Sequence, residues 1–322
     1  MKTALITGIT GQDGFHLTDL LLSKNYKIYG LLNGQRNSRA VEFAKKFQNV
    51  ELIEGDLTDF SSLIRSIDIS KPNEIYNLGA ISFVGLSFKQ PELTADVTGL
   101  GPLRLLEAIR TLGMEKEIRF YQASSSEMFG KVQQVPQTEI TNFYPRSPYG
   151  VAKVYAHQIC VNYRESYGMH VSCGILFNHE GEYRGEEFVT RKITKGVADI
   201  VNNRIKKIKL GTIDPRRDWG SADDYVEAMW LMLQQQIPDD YVIATGVTHS
   251  VREFLELAIT SAGLKGKAED YVEIDSTLKR PAEVDLLIGD ATKAKNILGW
   301  TPKVNFEDLV KKMVDYDLKY YS

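Results

Sequence analysis

The sequence predicts an α/β fold in which a doubly wound parallel sheet is joined to a smaller C-terminal α/β lobe. Short β-branched runs alternate with amphipathic helical patterns through the first half of the chain. Such alternation is typical of a parallel sheet covered by helices on both faces. The 322 residues, 43% of them hydrophobic, suffice for a well-buried core.

The elements of the first half follow one another in steady alternation. Strands are predicted at Thr3–Thr7, Lys27–Leu32, Val50–Ile53, Glu74–Leu78, Arg119–Ala123 and Val171–Phe177. Helices are predicted at Phe15–Ser23, Ser61–Ser66, Leu103–Arg110 and Tyr149–Tyr167.

The pattern loosens after about residue 178. Helices are predicted there at Val189–Val201, Ala222–Gln235 and Val251–Ala262, with short strands at Lys207–Leu210 and Tyr241–Ala244. We therefore expect residues 1–178 to form the sheet domain and residues 179–322 mainly the smaller lobe. Some later segments should return to the sheet.

Composition and charge exclude several classes of partner. The formal net charge of −3 gives no reason to expect nucleic acid or an anionic membrane. Cys160 and Cys173 lie in apolar stretches and are expected to be buried free thiols. A glycine-rich turn begins at Gly8, too soon for a signal peptide, and no apolar run approaches the roughly 20 residues of a membrane span. We expect a soluble, cytoplasmic protein.

A glycine-rich turn follows the first strand at once and opens the first helix. Glycines three residues apart, as in this turn, let the backbone approach a pyrophosphate, whose charge the helix N-terminus stabilises. Because the turn stands directly between a strand and a helix, it predicts a Rossmann-type, dinucleotide-binding sheet domain. The expected contacts are Gly8, Thr10, Gly11, Gln12, Asp13 and Gly14.

The end of the second strand favours NADP over NAD. The stretch Leu31–Arg39 contains no acid that could hold a ribose 2′-hydroxyl, but it contains two arginines. Arg36 is the expected partner of a 2′-phosphate, since a guanidinium binds phosphate in a forked manner. The alternative is that Arg36 and Arg39 merely solvate a loop.

Further cofactor contacts are expected where the third and fourth strands end. An adenine contact is expected after the third strand, and small residues after the fourth would leave room for the cofactor. The alternative for both stretches is that their residues only stabilise backbone turns. The residues concerned are Asp56, Leu57, Leu78, Gly79, Ala80 and Ser82.

Tyr149 and Lys153 stand four residues apart on one face of a predicted helix. A nearby ammonium lowers the pKa of a phenol, so the pair predicts a tyrosine that acts as a base on a hydroxyl. A solvated helix face is the alternative interpretation of such a pair. A serine cluster, Ser124–Ser126, closes the preceding strand and should point into the ligand crevice with Glu127.

The glycine turn, the Tyr149/Lys153 pair and seven longer stretches resemble the extended short-chain dehydrogenase/reductase family of NAD-dependent epimerases and dehydratases. Within that family the sequence is most similar to the GDP-mannose 4,6-dehydratases, from the first strand to about Trp300. The longer stretches are the more specific ones: Arg119–Glu127, Phe143–Tyr149, Gly174–Glu180, Phe188–Thr194, Arg217–Gly220, Thr245–Ser250 and Arg280–Asp285.

This resemblance implies a hydro-lyase of deoxysugar biosynthesis that converts GDP-mannose to GDP-4-keto-6-deoxymannose. NADP would take a hydride from C4 of the sugar and return it to C6. Tyr149 would accept the proton of the 4-hydroxyl, and Glu127 would remove the proton from C5. Ser125, where the family has threonine, would orient the reacting oxygen, and Lys153 would orient the nicotinamide ribose.

The resemblance also implies contacts beyond the catalytic group. His179 and Arg184, with Tyr149 and Lys153, match family positions near the cofactor. Substrate-binding positions are matched by Ser82, Ser125, Asn178, Lys192, Arg217, Arg280 and Glu283. The family further implies a homodimer, or a homotetramer, that pairs through the helix containing Tyr149.

Three stretches depart from the family pattern, namely Gly79–Phe83, Gly181–Tyr183 and Leu32–Gly34. The first removes two polar groups from beside the sugar, and the three departures together leave the hexose and the nucleotide open. A nucleotide-sugar 4-epimerase, for example on a UDP-hexose or UDP-hexuronate, is the alternative enzyme. A non-catalytic NADP-sensing or scaffolding protein is the alternative from another class. The remaining histidines show no metal-ligand spacing, and no metal is expected.

Overall fold

The computed structural model describes residues 1–34, 38–278, 284 and 286–322. Its helices are α1 (Gln12–Ser23), α2 (Ser38–Lys46), α3 (Phe60–Ser70), α4 (Val84–Ser87), α5 (Pro91–Thr94), α6 (Gly101–Thr111), α7 (Pro148–Tyr167), α8 (Val189–Val201), α9 (Ala222–Gln234), α10 (Val251–Ser261), α11 (Ala268–Tyr271) and α12 (Phe306–Tyr320). Its strands are β1 (Thr3–Thr7), β2 (Lys27–Leu32), β3 (Glu51–Glu54), β4 (Glu74–Asn77), β5 (Arg119–Ser125), β6 (His170–Leu176), β7 (Asn178–Glu180), β8 (Ile208–Leu210), β9 (Arg216–Ser221), β10 (Asp240–Ile243), β11 (Thr248–Ser250), β12 (Val272–Ile274) and β13 (Leu286–Leu287).

Seven strands form one parallel sheet in the order β10-β6-β5-β4-β1-β2-β3. This confirms the predicted doubly wound parallel sheet. Because all strands run the same way, their carboxyl ends meet at one edge, with the chain reversal between β1 and β4. β10 follows α9 in the chain and pairs with β6, so a segment beyond residue 178 lies in the sheet.

The sheet buries both of its faces against helices. One face packs on α1 and α9, through side chains such as Phe15 and Met229. The opposite face packs on α3, α6 and α7, with Leu105 among the buried residues. Because both faces of the sheet are buried, the sequences of its strands are nearly continuous apolar runs. Cys160 and Cys173 are buried and free, as predicted.

The C-terminal lobe has a core of its own between α8, α10 and α12, around Trp219 and Phe254. Strand β9 is the centre of a small sheet that also contains β7, β11 and β13. Since β7 begins two residues after β6 ends, this small sheet lies next to the carboxyl edge of the large one. The division of the chain at residue 178 stays a prediction.

Several element boundaries differ from those predicted. Helix α1 begins at Gln12 rather than Phe15, because its first turn follows the glycine turn and carries no apolar periodicity. Strand β5 continues past Ala123 to Ser125, which pairs with Leu176. Among the described residues, no helix combines the length and apolar character needed to cross a membrane.

Candidate active site

The start of α7 is set by local sequence. The Ser147 side chain accepts a hydrogen bond from the Gly150 amide at 3.0 Å, and Pro148 occupies the first helical position. Both features stabilise a helix N-terminus. They place Tyr149 in the first turn of α7 and Lys153 one turn later, with both side chains buried.

A cleft lies at the carboxyl edge of the large sheet, between the glycine turn and α7. The structure brings together in its wall most of the predicted site residues: Gly8, Gly11, Gln12, Asp13, Gly14, Leu78, Ala80, Ser82, Ser125, Glu127, Tyr149, Lys153, Asn178, His179 and Arg184.

The glycine turn fits a closely approaching phosphate group. Gly8 has φ +67°, and a Cβ atom there would lie 2.7 Å from the Gly79 amide nitrogen. A Cβ atom on Gly14 would lie 2.1 Å from the Ile9 carbonyl oxygen, so only glycine allows this turn to pack against the start of α1. The helix N-terminus behind the turn then faces the cleft, as a pyrophosphate site requires.

The prediction that Lys153 lowers the pKa of Tyr149 is wrong for this structure. The Lys153 ammonium donates a 2.6 Å hydrogen bond to the Ala123 carbonyl, and it lies 5.7 Å from the centre of the Tyr149 ring. Burial raises the pKa of Tyr149 to about 12, although a hydrogen bond with Ser125 opposes this. Burial likewise lowers the pKa of Lys153 to about 8.

Ser125 and Glu127 lie at the end of β5, opposite the first turn of α7. The Glu127 amide donates a hydrogen bond to the Ser125 hydroxyl at 3.2 Å. A Cβ atom on Gly150 would come within 2.8 Å of the Glu127 carbonyl oxygen, so the helix packs directly on this turn. Ser125, Glu127 and Tyr149 therefore all line the cleft where β5 ends and α7 begins.

His179 and Asp13 form an ion pair at the floor of the cleft. The His179 Nε2 atom lies 3.0 Å from both carboxylate oxygens of Asp13, and the ring stacks on Tyr225 at 4.6 Å. Burial alone would raise the pKa of Asp13, but His179 and Gln12 hold it well below its ordinary value. Burial alone would lower the pKa of His179, but Asp13 raises it. The pair fixes β7 against α1.

A second pocket opens beside the first and shares with it Glu127, Asn178, Arg184 and Phe188. The pairing of β7 with β9 explains its position, because Asn178 lies opposite Trp219. Three of the predicted substrate-binding residues line it, namely Asn178, Lys192 and Arg217. Lys192 and Arg217 place two cations in this pocket, whose lining also includes Glu180 and Glu187.

Other predicted residues lie outside the cleft walls. Leu57 is buried, and a Cβ atom on Gly79 would lie 2.7 Å from its Cδ1 atom. The Asp56 carboxylate accepts hydrogen bonds from the amide and hydroxyl of Thr58, as in simple turn chemistry. Thr10 lies in the glycine turn without lining the cleft. Arg36, Arg280 and Glu283 lie outside the described residues.

Sequence reasoning missed the aromatic residues between the two pockets. The rings of Phe83 and Phe188 meet edge to face at 5.8 Å, and the Arg184 guanidinium lies 3.6 Å from the centre of the Phe188 ring. Phe83 lies in one segment, and Arg184 and Phe188 lie together in another, so only the folded structure brings the two rings into contact. Arg39, which the alternative interpretation treats as a solvated loop residue, is half-buried. Its guanidinium donates a hydrogen bond to the Tyr183 carbonyl at 2.6 Å.

One group among the described residues has metal-ligand geometry, and it lies behind the cleft. Donor atoms of His157, Cys173 and Asp240 are within 4.8 Å of one another. Both carboxylate oxygens of Asp240 already accept hydrogen bonds from Arg164, at 2.8 and 3.0 Å. The group is therefore satisfied by protein partners, and the expectation of no metal stays a prediction.

A family model described as GDP-mannose 4,6 dehydratase matches residues 5–313 of the chain. A Dictyostelium discoideum protein named GDP-mannose 4,6 dehydratase is 51% identical, and the match covers 99% of this chain and 96% of the relative. The similarity thus extends over the sheet, the cleft and the lobe together.

Solved structures share the same architecture. A UDP-glucose 4-epimerase from Thermotoga maritima with UDP-glucose has a TM-score of 0.88 at 26% identity, covering 99% of this chain and 100% of its own. A UDP-glucose 4-epimerase from Thermus thermophilus in complex with NAD has a TM-score of 0.86 at 26% identity, covering 98% of each chain. These neighbours bind a nucleotide sugar and a nicotinamide dinucleotide, respectively.

We expect the Asp13–His179 pair to make stability depend on pH. The pKa of Asp13 is lowered and that of His179 is raised, so the charged pair stabilises the fold most between their ordinary values, 3.8 and 6.5. This stabilisation is lost as the pH rises through the raised pKa of His179, or falls from 3.8 through the lowered pKa of Asp13.

The variant His179→Gln keeps a donor for Asp13 but carries no charge. Wild-type protein should melt about 2 °C or more above the variant near about pH 6, and the gap should shrink near about pH 9. Lys71→Gln, which removes an exposed partner of Asp68, is the control with little change. A gap that stays constant across this pH range would contradict the assignment.

Proposed function

The chain belongs to the GDP-mannose 4,6-dehydratase family, and we propose that its cleft converts GDP-mannose to GDP-4-keto-6-deoxymannose through Tyr149, Ser125 and Glu127. One observation carries this assignment: Glu127 lines both pockets, and together with burial its charge lies near enough to Tyr149 to raise the pKa of the phenol. A 4-epimerase needs no base at C5 of the sugar, whereas a 4,6-dehydratase does.

Tyr149, Ser125 and Glu127 divide the proton transfers among themselves. Tyr149 accepts the proton of the 4-hydroxyl, while the Ser125 hydroxyl orients that oxygen. The C4 ketone acidifies the proton on C5, which Glu127 removes and passes to the 6-hydroxyl, so that this group leaves as water. Tyr149 then returns its proton to C5. NADP, when bound, supplies the acceptor for the C4 hydride and the donor of the same hydride to C6. The product therefore differs from the substrate by one water, without net oxidation.

Burial controls the protonation of the two groups on α7. Because the pKa of Tyr149 is raised to about 12, the phenol is protonated in the free cleft at neutral pH, and it must lose this proton before it can accept that of the 4-hydroxyl. Ser125 and Arg184 are the groups of this chain that lower the pKa of Tyr149. Lys153, with a pKa of about 8, is mainly charged at neutral pH and is held on the Ala123 carbonyl.

The second pocket is suited to the nucleotide diphosphate. Lys192 and Arg217 supply positive charge there, and Asn178 adds an amide beside the shared wall. The ring pair of Phe83 and Phe188 bounds the junction, where the sugar would pass from one pocket to the other. Arg280 and Glu283, which lie outside the described residues, remain predicted partners of this ligand.

We assign NADP rather than NAD as the cofactor. The NAD-bound Thermus thermophilus neighbour supports a nicotinamide dinucleotide in the first cleft. No acid follows β2, where Asn33 and Gly34 stand instead, so nothing in that short stretch would repel a 2′-phosphate. Arg36 is the proposed partner of that phosphate.

The outer face of α7 supports a homodimer. Val151 and Tyr155 are 57% and 42% exposed on this helix, and Leu93 and Leu100 are 44% and 37% exposed on the neighbouring segment. Apolar side chains gathered on adjacent helices are typical of a protein interface. We propose that two copies pair through this surface, with a tetramer as a further possible assembly. The two buried free thiols support a cytoplasmic location.

Wild-type protein with NADP should release a product lighter than GDP-mannose by one water, as measured by mass spectrometry. Glu127→Gln should slow this release by about 10²-fold or more, because a general base contributes on that scale. Reduction of the cofactor in a single turnover should remain detectable. Glu165→Gln, an exposed change on α7, is the control. Unchanged turnover in Glu127→Gln would remove this residue from the mechanism, and an isomer of equal mass would indicate an epimerase.

Arg36→Ala should weaken NADPH binding by about 10- to 10²-fold, since a charged hydrogen bond to phosphate is lost. The affinity for NADH should change little, because NADH has no 2′-phosphate. Fluorescence titration of the two dinucleotides measures the ratio, with the exposed Arg65→Ala as a control. Equal weakening for both dinucleotides would argue against the assigned contact.

Val151→Glu should separate the dimer into single chains, because it introduces a charge into the proposed apolar contact. Light scattering should then give about half of the wild-type mass, at unchanged helix content. Val201→Glu places the same charge on an exposed apolar position of α8 and should leave the assembly intact. A wild-type mass in Val151→Glu would rule out this surface.

A further inference from the structure

Helix α7 carries a polar face that continues beyond the catalytic pair. His157 follows Lys153 by one turn, and Arg164 lies two turns further along the helix. The His157 ring is buried and meets the ring of Phe143 edge to face at 5.4 Å. Nothing in the proposed reaction uses His157, and a buried imidazole without a function is costly to keep unless its nitrogens are hydrogen-bonded.

Both nitrogens of His157 face polar partners. The Nδ1 atom lies 2.9 Å from the Ser124 hydroxyl, which is also buried. The Nε2 atom lies 3.8 Å from the Asp240 carboxylate, which Arg164 holds with two hydrogen bonds. Burial alone would lower the pKa of His157, but Cys173 and Asp240 raise it. The ring is thus held between β5 and β10.

The end of β5 needs such a support. Strand β4 pairs with β5 only as far as Gln122, whereas β6 pairs with it to Ser125. Of the strands in the described part of the chain, β6 alone therefore holds residues 123–125. These residues carry the carbonyl that binds Lys153 and the hydroxyl that lies beside Tyr149. Ser124 is in the middle of this segment, and its bond to His157 supplies a second constraint from α7.

We propose that His157 is a positioning residue, which acts through Ser124 to fix residues 123–125 against α7. The inference rests on the proposed function, because the segment concerned carries Ser125 and the carbonyl that holds Lys153. When the bond is lost, the Ser125 hydroxyl and the Lys153 ammonium move relative to Tyr149. Hydride removal from the sugar then slows, while the pocket that holds the nucleotide is unaffected.

A matched pair of variants separates the two nitrogens of His157. The amide of Asn occupies the place of Nδ1, so His157→Asn keeps a partner for Ser124. The amide of Gln occupies the place of Nε2, so His157→Gln keeps only the side toward Asp240. Ser124→Ala removes the same bond from the other end, and Ser124→Thr keeps the hydroxyl.

We expect His157→Gln and Ser124→Ala to lower kcat by about 10- to 10²-fold, the scale of a small misplacement in an active site. The KM for GDP-mannose should stay within about threefold, and His157→Asn and Ser124→Thr should stay within about threefold of wild type in kcat. Deuterium at C4 of the sugar should give a larger isotope effect on kcat in the two slow variants, because hydride removal becomes rate-limiting. A variant that merely contained less folded enzyme would have a lower kcat and an unchanged KM, but it would not show a larger isotope effect.

Amide hydrogen exchange tests the same contact without substrate. The peptide that contains residues 123–125 should exchange faster in His157→Gln and Ser124→Ala than in His157→Asn, with other sheet peptides unchanged. Equal kinetics and equal exchange in the Asn and Gln variants would overturn the proposal, as would normal kcat in Ser124→Ala. If His157→Gln does not fold, the comparison of Ser124→Ala with Ser124→Thr tests the proposal. Wild-type protein that forms no product would contradict the proposed function, while the exchange comparison would still judge the positioning contact.

Discussion

The Lys153 ammonium donates a buried hydrogen bond to the Ala123 carbonyl, and this contact joins the catalytic helix to the carboxyl end of the sheet. On one side of it, the first turn of α7 holds Tyr149 against the cleft. On the other side, the last residues of β5 present Ser125 and lead into Glu127. The groups that we propose to react come from two elements, so their spacing depends on how tightly helix and strand are held together.

Burial is what gives this cleft its electrostatic character. It raises the pKa of Tyr149 and lowers that of Lys153, because each charged form loses hydration. The same burial would neutralise Asp13, yet His179 keeps its carboxylate charged at the floor of the cleft. The site thus combines a neutral phenol with a fixed ion pair. Such a preorganised polar environment stabilises charge where it develops during the reaction.

The fold alone does not distinguish a dehydratase from an epimerase. The Thermotoga maritima epimerase shares the architecture over the whole chain at 26% identity. The similarity to the dehydratase family makes the distinction, and we propose that the Glu127 carboxylate is the residue responsible for it. Both kinds of enzyme need a phenol and a nicotinamide, and only one also needs a base at C5. A change of reaction therefore requires few residues at the end of a single strand.

Local sequence was enough to predict the parallel sheet, the glycine turn and the boundaries of α7. Its helix start at Ser147 and Pro148 and its end at Gly168 are chemical signals contained within a few residues. The partner of Lys153 and the direction of the Tyr149 pKa were not accessible in this way, since both depend on burial and on a distant carbonyl. The second pocket likewise arises from the pairing of β7 with β9, whose residues are far apart in the chain. Periodicity and motifs record what a segment prefers, whereas long-range contacts and desolvation arise only when segments pack together.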